Sequence, residues 1–346
     1  MTVRAMPRWL LVTGTVVIVL TIAALFLAVS GVSVGAAGSA FASGAFGSSY
    51  AVFSATLVRS VPLILTGLAV AWAFTAGVFN IGVEGQFLAG ASAATAVALQ
   101  FPGLGLFTAV LAILAGALAG ASWASIAAWL RVRFGVLEVI STIMLNFVAI
   151  QLVAYLVHGP LGDPAGIYPQ SPSIAQSTWL PRIIPGSRLH AGFAIAVVAS
   201  VAAWFVMRHM ASGFRLRLVG ANPATAWISG GVNVNKVTVG AFLVSGGIAG
   251  LAGAIEVTGV TYALYESISP GYGYTAIAVA LLANLNPAGV LASGIGFGAL
   301  EAGAASMQRD AGVPSVIVWV IEAILILLLA ALQIRFQSRV PSGEAS

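Results

Sequence analysis

The chain has 346 residues, of which 60% are hydrophobic and only 7% are charged. An average soluble domain carries about 25% charged residues. This composition, with a mean hydropathy of +1.05, therefore excludes an ordinary soluble fold and predicts a single membrane domain over residues 1–346. The lack of cysteine excludes disulfides, thiol catalysis and cysteine metal sites. The net charge of +5 does not indicate a nucleic-acid partner, because the 14 Lys and Arg residues lie mostly at the ends of apolar segments.

Apolar segments separated by turn residues predict an all-α polytopic membrane protein with about ten transmembrane segments. The first segment has a longer apolar run than the roughly 7–15 residues of a signal peptide, so we interpret it as a retained span. In chain order the predicted spans are 9–30, 57–78, 84–100, 105–130, 138–158, 189–209, 238–259, 273–285, 288–306 and 314–334. The eighth is too short to cross about 30 Å of hydrocarbon and is expected to be a half-helix.

The distribution of positive charges predicts the orientation of the spans. With ten spans and a cytoplasmic N-terminus, both termini lie inside, and the cations divide ten to four in favour of the inner side. The inner ten are Arg4, Arg8, Arg131, Arg133, Arg208, Arg215, Arg217, Lys236, Arg335 and Arg339, and the outer four are Arg59, Arg182, Arg188 and Arg309. The expected location is a plasma membrane, as a multi-pass protein.

The loop 159–188 is predicted to be external and holds six of the 14 prolines. Proline rigidifies such a segment and prevents a long helix. It is either a packed external cap or a docking surface for an external partner.

The inner loop 210–236 is predicted to contain one short helix. Asn222 is a good N-cap, Pro223 suits the first helical position, and Gly230 ends the turn. This helix could lie on the lipid surface, or it could be a rigid projection that binds a cytoplasmic partner.

Similar stretches in the two halves of the chain predict an inverted repeat. The first repeat covers 57–158, the span 189–209 links the halves, and the second repeat covers 238–334. Transporters with this arrangement bind solute near the bilayer midplane, between the repeats. Three GxxxG pairs, Gly116/Gly120, Gly246/Gly250 and Gly294/Gly298, predict close helix packing.

Polar side chains inside apolar segments are the candidate functional residues. Five of the nine acids, Glu84, Glu138, Glu256, Glu301 and Glu322, lie in or at the ends of such segments and have no obvious salt-bridge partner in the sequence. The first is part of "NIGVEG", where polar residues interrupt an otherwise apolar run. Structural hydrogen bonding and solute contact both remain open for each acid.

The sequence lacks the motifs of several enzyme classes. No phosphate-binding G-x-x-x-x-G-K-[ST] loop, no H-E-x-x-H and no G-x-S-x-G occurs, and the three histidines have no metal-ligand spacing. The chain is therefore not expected to hydrolyse nucleotide or to hold a metal or other cofactor.

Four motifs in order resemble the permease subunits of bacterial ABC importers for nucleosides and simple sugars. They are "FNIGVEGQFLAGA" at 79–91, "GVLEVISTIMLNFVA" at 135–149, "SGGIAGLAGAIEVTGV" at 245–260 and "GYGYTAIAVALLANLNPAGVL" at 271–291. The resemblance runs from about residue 57 to 334. It is strongest to the longer permease of nucleoside systems that use a basic-membrane-protein-like lipoprotein. The turn "LLANLNPAG" departs from the family in lacking a basic residue ahead of "NP".

The resemblance implies a bacterial inner-membrane permease, the ATP and Mg²⁺ being used by a separate ABC ATPase. The further partners that it implies are a second, homologous permease and an extracytoplasmic substrate-binding lipoprotein. The solute would be a nucleoside or a related ribosyl or simple-sugar compound. A stand-alone proton-coupled transporter and a channel are the alternatives.

The resemblance and the polar residues in the apolar segments together predict two sets of functional residues. The substrate path is predicted to include Asn80, Glu84, Gln86, Glu138, Asn146, Glu256, Tyr272 and Tyr274, with Asn80 capping the third span and the two tyrosines stacking on a nucleobase or lying in an interfacial belt. The segment that contacts the ATPase is predicted to include Arg215, Arg217, Gly220, Asn222, Pro223, Ala226 and Gly230. Breaks at "NIGVEG" and "SISPGYGYT" are expected to lie close to the path.

Overall fold

The computed structural model describes residues 21–324 except 23, 30, 167, 229, 315, 317–319, 321 and 322. Helices joined by turns, with two isolated bridges and no strand, make up this part of the chain. Six of its helices are long and apolar enough to cross a membrane. The prediction of an all-α polytopic membrane protein is therefore confirmed, whereas the predicted spans 9–30 and 314–334 lie largely outside the described residues.

The helices are numbered here in chain order. They are α1 (Val34–Phe46), α2 (Ala51–Thr75, π-helical over Ala51–Thr56), α3 (Val83–Gln100), α4 (Leu106–Phe134), α5 (Glu138–His158), α6 (Gly192–His209), α7 (Ala211–Ala221), α8 (Pro223–Ile228), α9 (Val234–Thr261, π-helical over Val257–Thr261), α10 (Tyr272–Leu282) and α11 (Pro287–Asp310).

The described spans correspond to helices whose ends differ by a few residues from the predicted ones. Helix α10 has 11 residues and is only about 16 Å long, so the predicted half-helix is confirmed. Helix α1 was not predicted, because its three glycines and two serines are typical of a linker. The short helix predicted in 210–236 is present as α8, but a further helix, α7, was not predicted. Helix α7 also lies there and buries Gly213, Leu216 and Val219, which share one helix face.

The described residues divide into two compact units, and the first comprises the described residues up to 56 and from 299 onward. Within it, α1 packs against the C-terminal part of α11. A Cβ at Gly44 would lie closer than 3.0 Å to the Ser306 side chain, and one at Gly303 would be as close to the Phe41 ring. A small apolar cluster continues this contact and comprises Leu27, Ala37, Ala40, Met307 and Val313.

The second unit, residues 57–298, is built on close packing of α9 against α3 and α4. Gly250 of α9 faces Gly90 of α3 on one side and both Gly116 and Gly120 of α4 on the other. A Cβ at any of these glycines would lie closer than 3.0 Å to backbone atoms or to a neighbouring side chain. The predicted packing role of the Gly116/Gly120 and Gly246/Gly250 pairs is confirmed.

The segment between α5 and α6 packs against the end of α9. The amide of Leu180 donates to the Thr258 carbonyl, and the amide of Ile174 donates to the Tyr262 carbonyl. The rings of Trp179 and Tyr262 stack with their centroids 3.8 Å apart. The proline-rich loop is therefore packed against the helices. This agrees with the interpretation of the loop as a packed cap.

His190 lies in this segment, in a buried position between two glycines. Its Nδ1 accepts a hydrogen bond from the Gly192 amide, and a Cβ at Gly192 or Gly259 would lie closer than 3.0 Å to the imidazole. The imidazole is 1% exposed, and its Nε2 has no hydrogen-bond partner among the described residues. Burial, reinforced by the charge of Arg188, lowers the pKa of His190 from 6.5 to about 4.

This shift predicts a loss of stability in acid. Between the two pKa values the unfolded chain binds a proton that the folded chain does not, so stability is full above about pH 6.5 and falls as the pH approaches 4. The full effect is about 3 kcal/mol. Thermal unfolding of the purified protein, followed from pH 7.5 to 4.5, should show this loss in the wild type and a smaller one in His190→Asn. An equal loss in both would assign the acid sensitivity to other groups.

Candidate functional site

The first candidate region is the break between α2 and α3, residues 76–82, where buried amide side chains replace helical hydrogen bonds. Asn80 donates from Nδ2 to Gln86 Oε1 and to Ser245 Oγ, each at 2.9 Å, and Gln86 Nε2 donates back to Asn80 Oδ1 at 3.0 Å. Asn80 Oδ1 also accepts from the Gly82 amide. The N-cap position of α3 is Gly82, so the prediction that Asn80 caps this helix was wrong by two residues.

The second break, residues 262–271, ends beside the first at the N-terminus of α10. Glu84 Oε2 accepts a hydrogen bond of 2.7 Å from the Gly273 amide, and the Glu84 carboxyl group is also hydrogen-bonded to the Ser269 side chain. Ser269 Oγ in turn accepts from the amides of Gly271 and Tyr272. Glu84 is 4% exposed and lies in the first turn of α3. A carboxyl group therefore joins the starts of two helices, where backbone N–H groups lack helical partners.

Asn146 of α5 completes this contact from a third helix. Its Oδ1 accepts from the Gly85 amide at 2.8 Å, while its Nδ2 donates to the Ile81 carbonyl at 2.9 Å and lies 3.4 Å from the Tyr274 hydroxyl. We call the set Asn80, Glu84, Gln86, Asn146, Ser245, Ser269 and Tyr274 the break junction. Its polar groups satisfy one another, and all of its members except Ser269 and Tyr274 are buried.

The two tyrosines predicted to contact solute occupy different environments. Tyr272 is buried, and its ring packs edge-to-face on Phe87 with centroids 5.7 Å apart. Tyr274 is 44% exposed, and its hydroxyl lies at Asn146. Of the two rings, that of Tyr274 is the exposed one, while that of Tyr272 contributes to helix packing.

Two predicted path residues lie apart from the break junction. Glu138 begins α5, forms an ion pair with Arg131 and accepts from the Phe79 amide at 3.5 Å. The expectation that this acid lacks a salt-bridge partner was wrong, because the tight α4–α5 turn brings the last turn of α4 to the first of α5. Glu256 lies near the end of α9, where it experiences the charges of Arg188 and Arg59. Glu322 lies outside the described residues.

Two members of the break junction were not predicted. Ser245 accepts from Asn80 and donates to the Ala69 carbonyl, and Ser269 accepts from the Gly271 and Tyr272 amides at the start of α10. Ser269 has a weak signal in the sequence, since a serine hydroxyl often binds the backbone amide two residues on in a turn. For Ser245 no local pattern distinguishes it from other serines in apolar helices.

The segment around α7 and α8 has much of the predicted local structure. Asn222 Oδ1 accepts from the Thr225 amide at 3.1 Å, Pro223 begins α8, and Gly230 follows the end of that helix. Ala226 is fully buried, whereas Arg215 and Arg217 on α7 are exposed.

Helix α7 directly contacts the first break. A Cβ at Gly220 would lie closer than 3.0 Å to the Thr75 carbonyl, and one at Gly77 would lie 3.3 Å from the Gly220 Cα. Gly77 also needs its left-handed backbone, with φ +70°, to leave the end of α2. Helix α7 thus packs against the beginning of the break, which leads through Asn80 to Glu84 in the first turn of α3.

Several long apolar helices and a buried polar junction between broken helices are typical of a multi-pass membrane transport protein. Residues 52–330 match the protein family described as "Branched-chain amino acid transport system / permease component". The chain therefore belongs to this family and is a permease subunit of an ABC transporter.

Curated relatives support this assignment over most of their length. The chain is 39% identical over 333 residues, 95% of both chains, to the guanosine ABC transporter permease NupP of Bacillus subtilis. It is 40% identical over 285 residues, 79% of this chain and 74% of the relative, to the glucose ABC transporter permease TsgB13 of Haloferax volcanii. It is 32% identical over 286 residues, 80% of this chain and 78% of the relative, to the nucleoside ABC transporter permease NupB of Lactococcus lactis. No solved structure matches significantly.

Proposed function

We propose that this chain forms part of an ATP-driven importer and that its solute is a nucleoside. The observation that carries the proposal is the 39% identity to a guanosine permease over 95% of both chains. A simple sugar is the second candidate, because a relative of similar identity is named as a glucose permease. The proposed location is a bacterial inner membrane, with both termini in the cytoplasm.

In this proposal the solute passes beside the break junction. Tyr274 supports it, because a partly exposed aromatic ring next to the Asn146 amide suits the stacking and hydrogen bonding of a neutral nucleobase. Asn80, Gln86 and Glu84 would hold the two breaks in place rather than bind solute, since their polar groups are engaged with each other and with backbone amides. Glu138, at the start of α5, and Glu256, near the end of α9, would act at opposite ends of the helical bundle.

Energy would come from a separate ABC ATPase that uses ATP and Mg²⁺ and contacts α7 and α8. The charge of Arg215 and the exposed Trp227 and Ile228 offer such a partner a mixed basic and apolar surface. Movement of this segment would reach the first break through the contact of Gly220 with Thr75. A second, homologous permease and an extracytoplasmic binding lipoprotein would complete the transporter.

The test is uptake of labelled guanosine by the complete transporter in proteoliposomes. ATP should drive uptake without a proton gradient, and an excess of unlabelled nucleoside should compete better than glucose. If a protonophore stops uptake while ATP is held constant, the chain works as a proton-coupled transporter and the proposal is wrong. If glucose competes better than nucleosides, the solute is a sugar.

Two variants locate the path and the coupling within the same assay. Tyr274→Ala should weaken apparent guanosine affinity by roughly 5- to 150-fold, the equivalent of one lost stacking contact. The controls are Tyr274→Phe and Tyr155→Ala, the second of which changes an exposed tyrosine on a different helix, α5. Ala226→Pro removes the amide that donates to the Asn222 carbonyl and should uncouple ATP hydrolysis from uptake. Normal ATP-driven uptake by Ala226→Pro would show that α8 is not part of the coupling.

A further inference from the structure

A cleft of about 540 Å³ opens between the ends of several helices in the second unit. It lies where α2 and α6 end, beside α7 and the turn between α10 and α11. The polar part of its lining comprises Thr75, Arg208, Arg217, Asn284 and Asn286, and the apolar part comprises Phe74, Trp204, Met207, Leu285 and Pro287. The distribution of positive charges predicts that this side of the membrane is cytoplasmic.

The two arginines of the cleft lie in a stretch of the chain that has no acidic residue. Neither Arg208 nor Arg217 forms an ion pair with a residue in the described ranges. No Asp or Glu occurs between Asp163 and Glu256, so the whole of α6, α7 and α8 is free of acids. Exposed cations in such a setting attract negatively charged partners.

The turn between α10 and α11 supplies hydrogen-bonding groups to the opposite wall. Asn284 and Leu285 both adopt left-handed backbone conformations, with φ of 50° and 59°. For a residue as bulky as leucine this conformation is strained, and such strain concentrates at functional sites. Asn286 Oδ1 accepts from the Ala288 amide, so the side-chain NH₂ of Asn286 is the group that can donate to a ligand.

We propose that this cleft binds the headgroup of an anionic phospholipid from the cytoplasmic leaflet. Its arginines and Asn286 would hold the phosphate, while Phe74, Met207 and Leu285 would pack against the glycerol and the first methylenes of the acyl chains. Basic pockets between membrane helices on the cytoplasmic side suit such headgroups. The indole of Trp204 fits the same interfacial layer.

The mixed lining favours a lipid over an acidic side chain of the ATPase. A carboxylate from a soluble partner would use the arginines but would leave the apolar wall uncovered. A phospholipid covers both walls, and it reaches the cleft within the membrane interface, where α2 and α6 end. Arg215 lies two residues from Arg217 on α7 and does not line the cleft, so it is a matched control for charge.

The experiment measures lipid retained by the purified full-length chain in native mass spectrometry, with phosphatidylglycerol and phosphatidylcholine supplied equally. The wild type should retain phosphatidylglycerol preferentially. Arg208→Gln and Arg217→Gln should each lower that retention about fivefold, the contribution of one juxtamembrane cation, while Arg215→Gln should change it less than about twofold. Both cleft arginines are exposed, and unchanged melting temperatures in neutral detergent would verify that the variants fold.

Three results would overturn the proposal. Equal retention of the two lipids would exclude an anionic headgroup, and an equal loss in Arg215→Gln would indicate general surface attraction rather than a cleft. If instead Arg217→Gln keeps its lipid but no longer co-purifies with the ATPase subunit, the cleft binds a protein carboxylate. Inorganic phosphate, added at the lipid concentration, should displace little phosphatidylglycerol, because it lacks the part that packs on the apolar wall.

Discussion

Gly250→Ala is expected to reduce the yield of folded protein in the membrane severely. The added Cβ would lie closer than 3.0 Å to the Gly116 carbonyl and to the Gly120 backbone, so α9 and α4 could not keep their present separation. Because the obstructing atoms belong to backbone rather than to a flexible side chain, both helices would have to move apart. Overpacking of this kind typically costs about 1–3 kcal/mol and occasionally more.

Two other glycines of α9 provide matched controls on the same helix. A Cβ at Gly247 would lie 3.7 Å from the Ala117 carbonyl, an ordinary contact, and a Cβ at Gly240 would meet nothing within 4 Å. Gly247→Ala should therefore be tolerated, and Gly240→Ala should stabilise the helix by roughly 0.5–1 kcal/mol. The measurements are membrane abundance and melting temperature in detergent. If Gly250→Ala behaved like Gly240→Ala, the close contact of α9 with α4 would be refuted.

Glu84→Ala should lower both the abundance and the transport activity of the protein. The substitution leaves the Gly273 amide and the Ser269 side chain without their shared acceptor at the start of α10. Each buried group left unsatisfied costs about 1–3 kcal/mol. Among the described hydrogen bonds of Glu84, those to Gly273 and Ser269 are the ones that reach a distant part of the chain. Without them, the two breaks would lose the hydrogen bonds by which Glu84 joins them.

Glu84→Gln separates a structural role from one that depends on charge. The amide oxygen of glutamine can still accept from Gly273, so the variant should reach nearly normal abundance and retain uptake. Nucleosides are neutral and need no counter-charge, which is why the structural role is expected. Uptake of labelled guanosine, normalised to protein level, is the measurement. Normal abundance of Glu84→Gln without uptake would instead assign the carboxyl group to proton or solute handling.

Features that depend on neighbouring residues in the chain could be predicted from the sequence. Long apolar runs between turn residues predicted the membrane helices, and the short run before "NLNP" predicted the half-helix α10. The Asn222–Pro223 pair predicted the start of α8, because an N-cap acts on amides only two or three residues away. Polar residues among glycines predicted the break after α2, since such residues replace lost helical hydrogen bonds.

The partners of the polar residues could not be predicted in this way. Glu84 contacts Gly273, which is 189 residues away, and Asn146 contacts Gly85, which is 61 residues away. Glu138 and Asn146 lie on one helix and the sequence predicts both on a substrate path, yet only Asn146 reaches the break junction. Which of two polar residues on a helix meets another helix depends on how the helices cross, and no local pattern records that.

Glycine shows the same division between local and tertiary information. A pair four residues apart indicates that a helix has a flat face for close packing, as in Gly246/Gly250. The sequence did not identify the facing helices, nor did it show that Gly220 meets the end of α2. These contacts exist because backbones from distant parts of the chain approach one another where no side chain intervenes. The membrane helices and their breaks were therefore determined locally, whereas the break junction and its contact with α7 were decided by packing.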